Sequence, residues 1–323
     1  MRMSTEEICR LDTWKGDWGL PSIDTNCLWV LAYARFCGIN LRENPTSDPF
    51  KTPNGSLPVL RSSGIVLDSI QKCIEFFREK GNSLEYNLTQ KQCAEIMAYD
   101  YMLHEKLYPA LQFIWWIDQK NFNELIRPWY AKAVPFPFNF WYPARYEKAA
   151  HNLMESLFPM EDSTSAIETK VYSEAQKCIT LLSVRLGESD FFFGSRPTSF
   201  DALVYGYLAP LLKAPLPNPA LQNHLKACTN LVKLISRISQ RFFESEYQSY
   251  ERMKAEEDQK KIKENNDTEF PNKRRNQFLA GVFAFVAMSG YAISHGIIKV
   301  SLGDDETMDH SEDYLFVEPD EDE

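Results

Sequence analysis

Little in this sequence could hold a metal, a phosphate or a disulfide framework. Its cysteines stand at 9, 27, 37, 73, 93, 178 and 228, an odd number, and no two are spaced C-x-x-C or as in a zinc knuckle. Most fall in apolar stretches such as "IQKCIEFF" around Cys73, so they read as small buried hydrophobes of a reducing compartment. His104, His151 and His224 show neither ligand nor triad spacing, and no Gly-rich phosphate loop is present. These absences predict no metal and no cofactor. The N-terminal stretch "MRMSTEEICRLDTWKGDWG" lacks the apolar core of a secretory signal, and Glu6, Glu7, Asp12 and Asp17 argue against a mitochondrial presequence. A basic stripe for nucleic acid is missing too.

The 323 residues are 44% hydrophobic and 25% charged, ordinary globular values that allow one large or two modest domains. The net charge of −10 is concentrated at one end. Residues 301–323 hold eleven Asp or Glu and no Lys or Arg, which leaves the rest near +1. Just before them, Phe278 to Ile298 form 21 residues without Asp, Glu, Lys or Arg. At about 1.5 Å per residue a helix of that length spans roughly 30 Å, the hydrocarbon thickness of a bilayer. A buried core helix is the other reading, but only a short acidic tail follows, too little to cover it. Lys273, Arg274 and Arg275 precede the run and favour a cytosolic location for the bulk of the chain. The sequence thus predicts a single-pass tail anchor over 276–299. An acidic tail occupies 300–323, and a charged linker or frayed helix extension fills 251–275.

The body divides by pattern. Over residues 1–82, "ICRLDTW", "INLRE", "SLPVL" and "GIVLDS" read as strands. "DTNCLWVLAYARFCG" and "DSIQKCIEFFREKG" read as helices, the first capped near Asp24 and stopped by Gly38, the second stopped by Gly81. Residues 83–250 read as helical. Ile96, Tyr99, Leu103, Leu107, Leu111 and Ile114 form one stripe, and Tyr172, Ala175, Ile179, Leu182 and Leu186 another. Between them "RPWYAKAVPFPFNFWYPAR" carries seven aromatics and four prolines, too much proline for a regular helix.

A small α/β unit followed by an all-helical one resembles the glutathione-transferase fold, with a thioredoxin-like first domain. "SLPVL…LDSIQKCIEFF" is similar to its first half, where Pro58 would take the place of the family's cis-proline. "FFFGSRPTSFDALVYGYLAPLL" is similar to its helical half, where Thr198 and Asp201 would form a structural capping box. The combination of "WKGDWGLPSIDTNCLWVLAYARFCG", "GSLPVL", "FIWWIDQKNF", the aromatic–proline block and a "RRNQ" entry into a terminal apolar run resembles the tail-anchored metaxins over about residues 14–300. That resemblance implies a mitochondrial outer-membrane protein facing the cytosol. Its partners would be other metaxin subunits and the sorting and assembly machinery for β-barrel proteins. Cristae-organising complexes and adaptors for motor-driven transport are further partners it implies.

The transferase resemblance also implies a glutathione site: Pro58 and Val59 for the cysteinyl part, Asp68 and Ser69 for the γ-glutamyl part. Each has a plain structural alternative, since Pro58 makes a turn and Asp68 or Ser69 can cap a helix. Transferases place a Tyr, Ser or Cys after the first strand to stabilise the thiolate. Here Ser22 is the sole candidate, where a helix N-cap is expected, and "NPTSDPFKTPNG" stands in for the short helix that shapes the transferase site. The expectation is a non-enzymatic docking subunit; a glutathione-dependent enzyme and a motor adaptor are the alternatives. Trp129, Tyr130, Phe136, Phe138, Phe140, Trp141 and Tyr142 are the candidate partner surface, or else a wedge packed within the helical domain.

Overall fold

The computed structural model describes residues 9–46, 52–81, 83–161, 163–268 and 273–294. Four strands form one sheet in the order β2-β1-β3-β4. Strand β1 (Cys9–Trp14) runs parallel to β2 (Leu41–Thr46) and antiparallel to β3 (Val59–Ser62), and β3 pairs antiparallel with β4 (Ile65–Leu67). Helix α1 (Thr25–Phe36) makes the β1–β2 crossover, and α2 (Ile70–Glu79) follows β4. The caps have simple causes. Asp24 accepts the Cys27 amide at 2.9 Å, and Gly38 takes φ +68° just past the end of α1, where a Cβ would be strained. Strand β2 runs beyond the predicted "INLRE" to include Pro45, which an edge strand tolerates because that amide needs no partner. One buried carboxylate ties three strands together: Asp12 on β1 accepts from Arg61 Nε on β3 at 2.8 Å, Asn44 Nδ2 on β2 at 2.7 Å and Arg10 Nε at 3.0 Å. Burial pushes its pKa up, but these donors outweigh burial and hold it below the usual aspartate value.

The helical part begins with α3 (Gln90–Met102), which continues through a π turn at Leu103–Leu107 into α4 (Tyr108–Gln112) and a second π turn at Phe113–Ile117. Leu103, Leu107, Leu111 and Ile114 of the predicted stripe are buried. A third π turn, Phe122–Ile126, joins α5 (Gln119–Asn121) to α6 (Arg127–Ala133). Two of the three precede a proline. The Tyr108 amide bonds to the Leu103 carbonyl and the Arg127 amide to that of Phe122, each five residues back, and Pro109 and Pro128 come next. Proline lacks an amide and its ring crowds the carbonyl four residues before it, so a widened turn ahead of it relieves the clash. Helices α7 (Phe138–Leu157), α8 (Thr164–Leu186), α9 (Ser199–Lys213), α10 (Ala220–Ala227) and α11 (Thr229–Phe242) complete the bundle.

Helix α9 is buried on almost every face and α1 nearly so, and they lie against each other. Gly206 permits the approach. A Cβ there would stand 2.8 Å from the Thr25 carbonyl oxygen and 3.1 Å from the Trp29 backbone nitrogen.

The aromatic–proline block corrects one expectation. It is helical on both sides of a short break at Val134–Pro137. Pro128 follows the π turn that leads into α6, which makes room for its ring, and Pro143 sits inside α7. Proline density forbade less helix than the sequence suggested because Pro135 and Pro137 fall in the break and Pro128 follows a widened turn.

The compact body ends at Ala255, and residues from Glu256 onward form a separate unit. Where a linker or frayed extension was expected, α12 (Glu244–Thr268) runs as a continuous helix across that boundary. In the second unit α13 (Lys273–Ser294) exposes Phe278, Phe283, Phe285, Val286 and Met288. Among the described residues no helix is long and apolar enough to cross a membrane. The last part of the predicted span, from residue 295, and the acidic tail lie outside the described residues.

Candidate functional site

The positions implied for glutathione lie where β3 begins and its neighbour β4 ends, already engaged with protein. Pro58 forms a cis peptide with Leu57, and Val59 is buried in register with Asp12 of β1. Ser69 caps α2 by accepting the Lys72 amide at 3.3 Å. The Asp68 carboxylate accepts from Lys72 Nζ at 3.0 Å and from Asn54 Nδ2; the lysine bond chiefly holds its pKa below the usual value. An acidic group that would receive a ligand ammonium is thus met by a lysine in the first turn of the helix that follows it.

The thiolate-stabilising position is likewise committed. Ser22 is fully buried, and its Oγ accepts the Asp24 amide at 3.3 Å. The cap of α1 is Asp24, as the helix pattern indicated, and not Ser22, whose hydroxyl fixes the turn that leads in. Cys27, one turn into α1, is buried, and desolvation, aided by the Asp24 charge, pushes its thiol well above the ordinary value. Neither side chain presents a reactive group. Among the described residues no cluster of His, Cys, Asp or Glu could hold a metal ion.

The aromatic block splits into a buried and an exposed set. Tyr130 and the wholly buried Tyr142 pack edge-on against Trp14 of β1, with ring centroids at 5.2 and 5.8 Å. Trp129 is half-buried, and its Nε1 donates to Asp17 Oδ2 at 2.8 Å, pinning α6 to the loop after β1. Phe136 is 80% exposed, Phe140 60% and Trp141 47%, while Phe138 is at the margin of exposure. Phe136 and Phe140 meet edge to face at 6.4 Å, and Arg145 lies over the Trp141 ring at 5.2 Å. A groove of about 200 Å³ runs beside Phe140, bounded by Gln119, Asn123, Arg127, Asn139 and Glu147.

Thr198 and Asp201 form a capping box at the start of α9. Asp201 Oδ2 accepts the Thr198 amide and hydroxyl, each at 2.8 Å, and Oδ1 accepts the Phe192 amide at 3.0 Å. Burial raises the Asp201 pKa to about 6 despite these three donors.

The sequence profile of the outer mitochondrial membrane transport complex proteins matches residues 27–147, and that of the glutathione S-transferase C-terminal domain matches 175–238. Metaxin-1 of Bos taurus is 39% identical over 290 residues, covering 89% of this chain and 90% of its own. The chain belongs to the metaxin family. Metaxin-3 of Danio rerio is 41% identical over 240 residues, 73% of this chain and 76% of its own. Among solved structures the beta-etherase LigF of Sphingobium superposes with a TM-score of 0.50 at 15% identity, over 76% of this chain and 99% of its own. The fold is therefore glutathione-transferase-like, as the motifs implied.

In this metaxin the separation of Tyr142 from its exposed neighbours is what sequence reasoning missed. The signal was there: Tyr142, Tyr146, Ala150 and Met154 recur every four residues and pack inward, whereas Phe140 and Trp141 fall off that stripe. Reading the block as non-helical hid the phase.

Proposed function

We propose that the chain is a non-enzymatic docking subunit of the mitochondrial outer membrane, acting in protein import and the sorting and assembly of β-barrel proteins. The observation that carries this reading is the exposed Phe136, Phe140 and Trp141 cluster on a body whose transferase positions are occupied by its own side chains. Large aromatics held outward on a helix start are the residues that dominate protein interfaces. The partner is another metaxin subunit or a component of the assembly machinery. Support for the membrane comes from the family match and from α13, whose exposed phenylalanines need an apolar surrounding. The anchor is the region of α13 and the apolar residues after it, with Lys273–Arg275 keeping the body on the cytosolic side.

The test is affinity capture from detergent-solubilised mitochondria with the wild-type chain and a Phe136→Ala/Phe140→Ala variant. Loss of barrel-assembly subunits from the variant, at unchanged insertion, is the expected result. Retention of every partner removes this surface from the reading. Capture dominated by motor adaptors makes the chain a transport adaptor instead.

A further inference from the structure

Where α1 meets the helical bundle there is a cavity of about 120 Å³. Six aromatic residues wall it: Trp18, Tyr108, Trp115, Trp116, Tyr130 and Tyr146. They brace one another. Trp116 stacks on Tyr146 at 4.9 Å and touches Tyr130 at 5.3 Å, and Trp18 lies parallel to Trp115 at 6.2 Å. Trp18 is held at φ +54°, a backbone conformation rare for an L side chain, which sets its ring at the cavity. The one charged group in the wall is the Asp24 carboxylate. Its hydrogen bonds come from first-turn amides of α1, the Cys27 amide at 2.9 Å. Among the described residues no lysine, arginine or histidine lines the cavity, and no cationic side chain bonds to Asp24.

Asp24 is partly buried, and a carboxylate drawn out of water is ordinarily met by a cation. This one shares its cavity with six aromatic rings instead, and the negative faces of such rings attract cations of low hydration. We propose that the cavity binds a methylated ammonium group, the aromatic walls taking its methyls and Asp24 its charge. Thr25, Asn26 and Gln112 add neutral polar groups to the lining. A lysine ammonium keeps its water too tightly for the aromatic part of such a wall, and among the described residues no second carboxylate lines it to pair with an arginine fork. A trimethylammonium group is compact and apolar on the outside, and carries the one charge the wall lacks. Two sources share that chemistry, a choline headgroup and a trimethylated lysine. The site is separate from the Pro58, Val59, Asp68 and Ser69 positions, none of which lines it.

The experiment is calorimetric titration of the full chain, in a detergent without choline, with choline chloride and with 3,3-dimethylbutan-1-ol, its neutral isostere. Choline should bind at least about tenfold more tightly than the alcohol. In Asp24→Asn that preference should vanish, while α1 keeps its cap because asparagine caps as well as aspartate. Tyr108→Leu removes a π face but little volume, and should weaken choline severalfold and leave the alcohol unchanged. Phosphocholine and an Nε-trimethyl-lysine peptide, run in parallel, identify the source by which of them shows the Asp24-dependent preference. Equal binding of choline and the alcohol overturns the proposal, as does a preference that survives Asp24→Asn, or silence from all cationic probes.

Discussion

Asp201 offers a sharp test of how the helical bundle is held. The folded chain raises its pKa from near 3.8 to about 6. At about 1.4 kcal/mol per tenfold, the charged carboxylate is then about 3 kcal/mol less comfortable folded than unfolded, relative to its protonated form. Between those two pH values the folded protein holds a proton that the unfolded chain releases. Stability therefore rises as pH falls through 6, opposite to a carboxylate in a salt bridge, and the gain is complete near 4. Lowering pH from 7 to 5 should add about 1 kcal/mol from this group alone. Asp201→Asn does not titrate. Its Oδ1 can still accept the Phe192 amide, but its amide nitrogen cannot accept the Thr198 amide, and a lost cap of this kind costs about 1–2 kcal/mol. That cost offsets part of the relieved charge at pH 7, so a single-pH comparison mixes the two. The difference between the two proteins at pH 7 and pH 5 isolates the titration. Urea unfolding of the body, Met1–Ala255, at both values should show wild type gaining about 1 kcal/mol on the variant. Parallel pH dependences would refute this account, and a carbon-13 titration of the Asp201 carboxyl near 4 would locate the error in its burial.

Gly206→Ala should lower the stability of the body by about 1–3 kcal/mol, read by thermal unfolding, because its methyl meets the rigid Thr25 carbonyl at 2.8 Å. Cys27, Cys73 and Cys178 should resist alkylation in the native protein and react once it is unfolded. Burial pushes the thiols of Cys73 and Cys178 up to about 12 and that of Cys27 well above its usual value. Phe136→Ala/Phe140→Ala should leave unfolding within about 0.5 kcal/mol of wild type, since both side chains are exposed, whereas Tyr142→Ala should cost about 3–5 kcal/mol. Ending the chain at Gln277 should release the body from membranes into the alkaline-soluble fraction; a body that stays in the pellet would move the anchor elsewhere.

Much of the fold could be read from periodicity and caps. The stripe through Leu103 to Ile114 and the one from Tyr172 to Leu186 face inward because a helix that buries one side must repeat every three to four residues. Asp24, Ser69 and Thr198 announce helix starts because few side chains reach a first-turn amide. The π turns escaped notice, since one extra residue per turn leaves no compositional trace apart from the proline behind it. The candidate site was half legible. Ser22 and Asp68 could be named, but whether a hydroxyl or carboxylate is free depends on neighbours such as the Asp24 amide and Asn54. The aromatic cavity brings Trp18 against Trp115, residues far apart along the chain, and no local pattern encodes that meeting.

The fit of α1 against α9 at Gly206 has a consequence for how the chain is made. Helix α1 emerges from the ribosome early, apolar on nearly all sides, yet the surface that covers it ends at Lys213, roughly 180 residues later. At about 5–20 residues per second this leaves α1 half-clothed for some 10–35 s. The thioredoxin-like half is thus an apprentice to the helical half, sticky until its cover arrives. Nascent chains stalled before α9 should be held by chaperones, and those released after it should not.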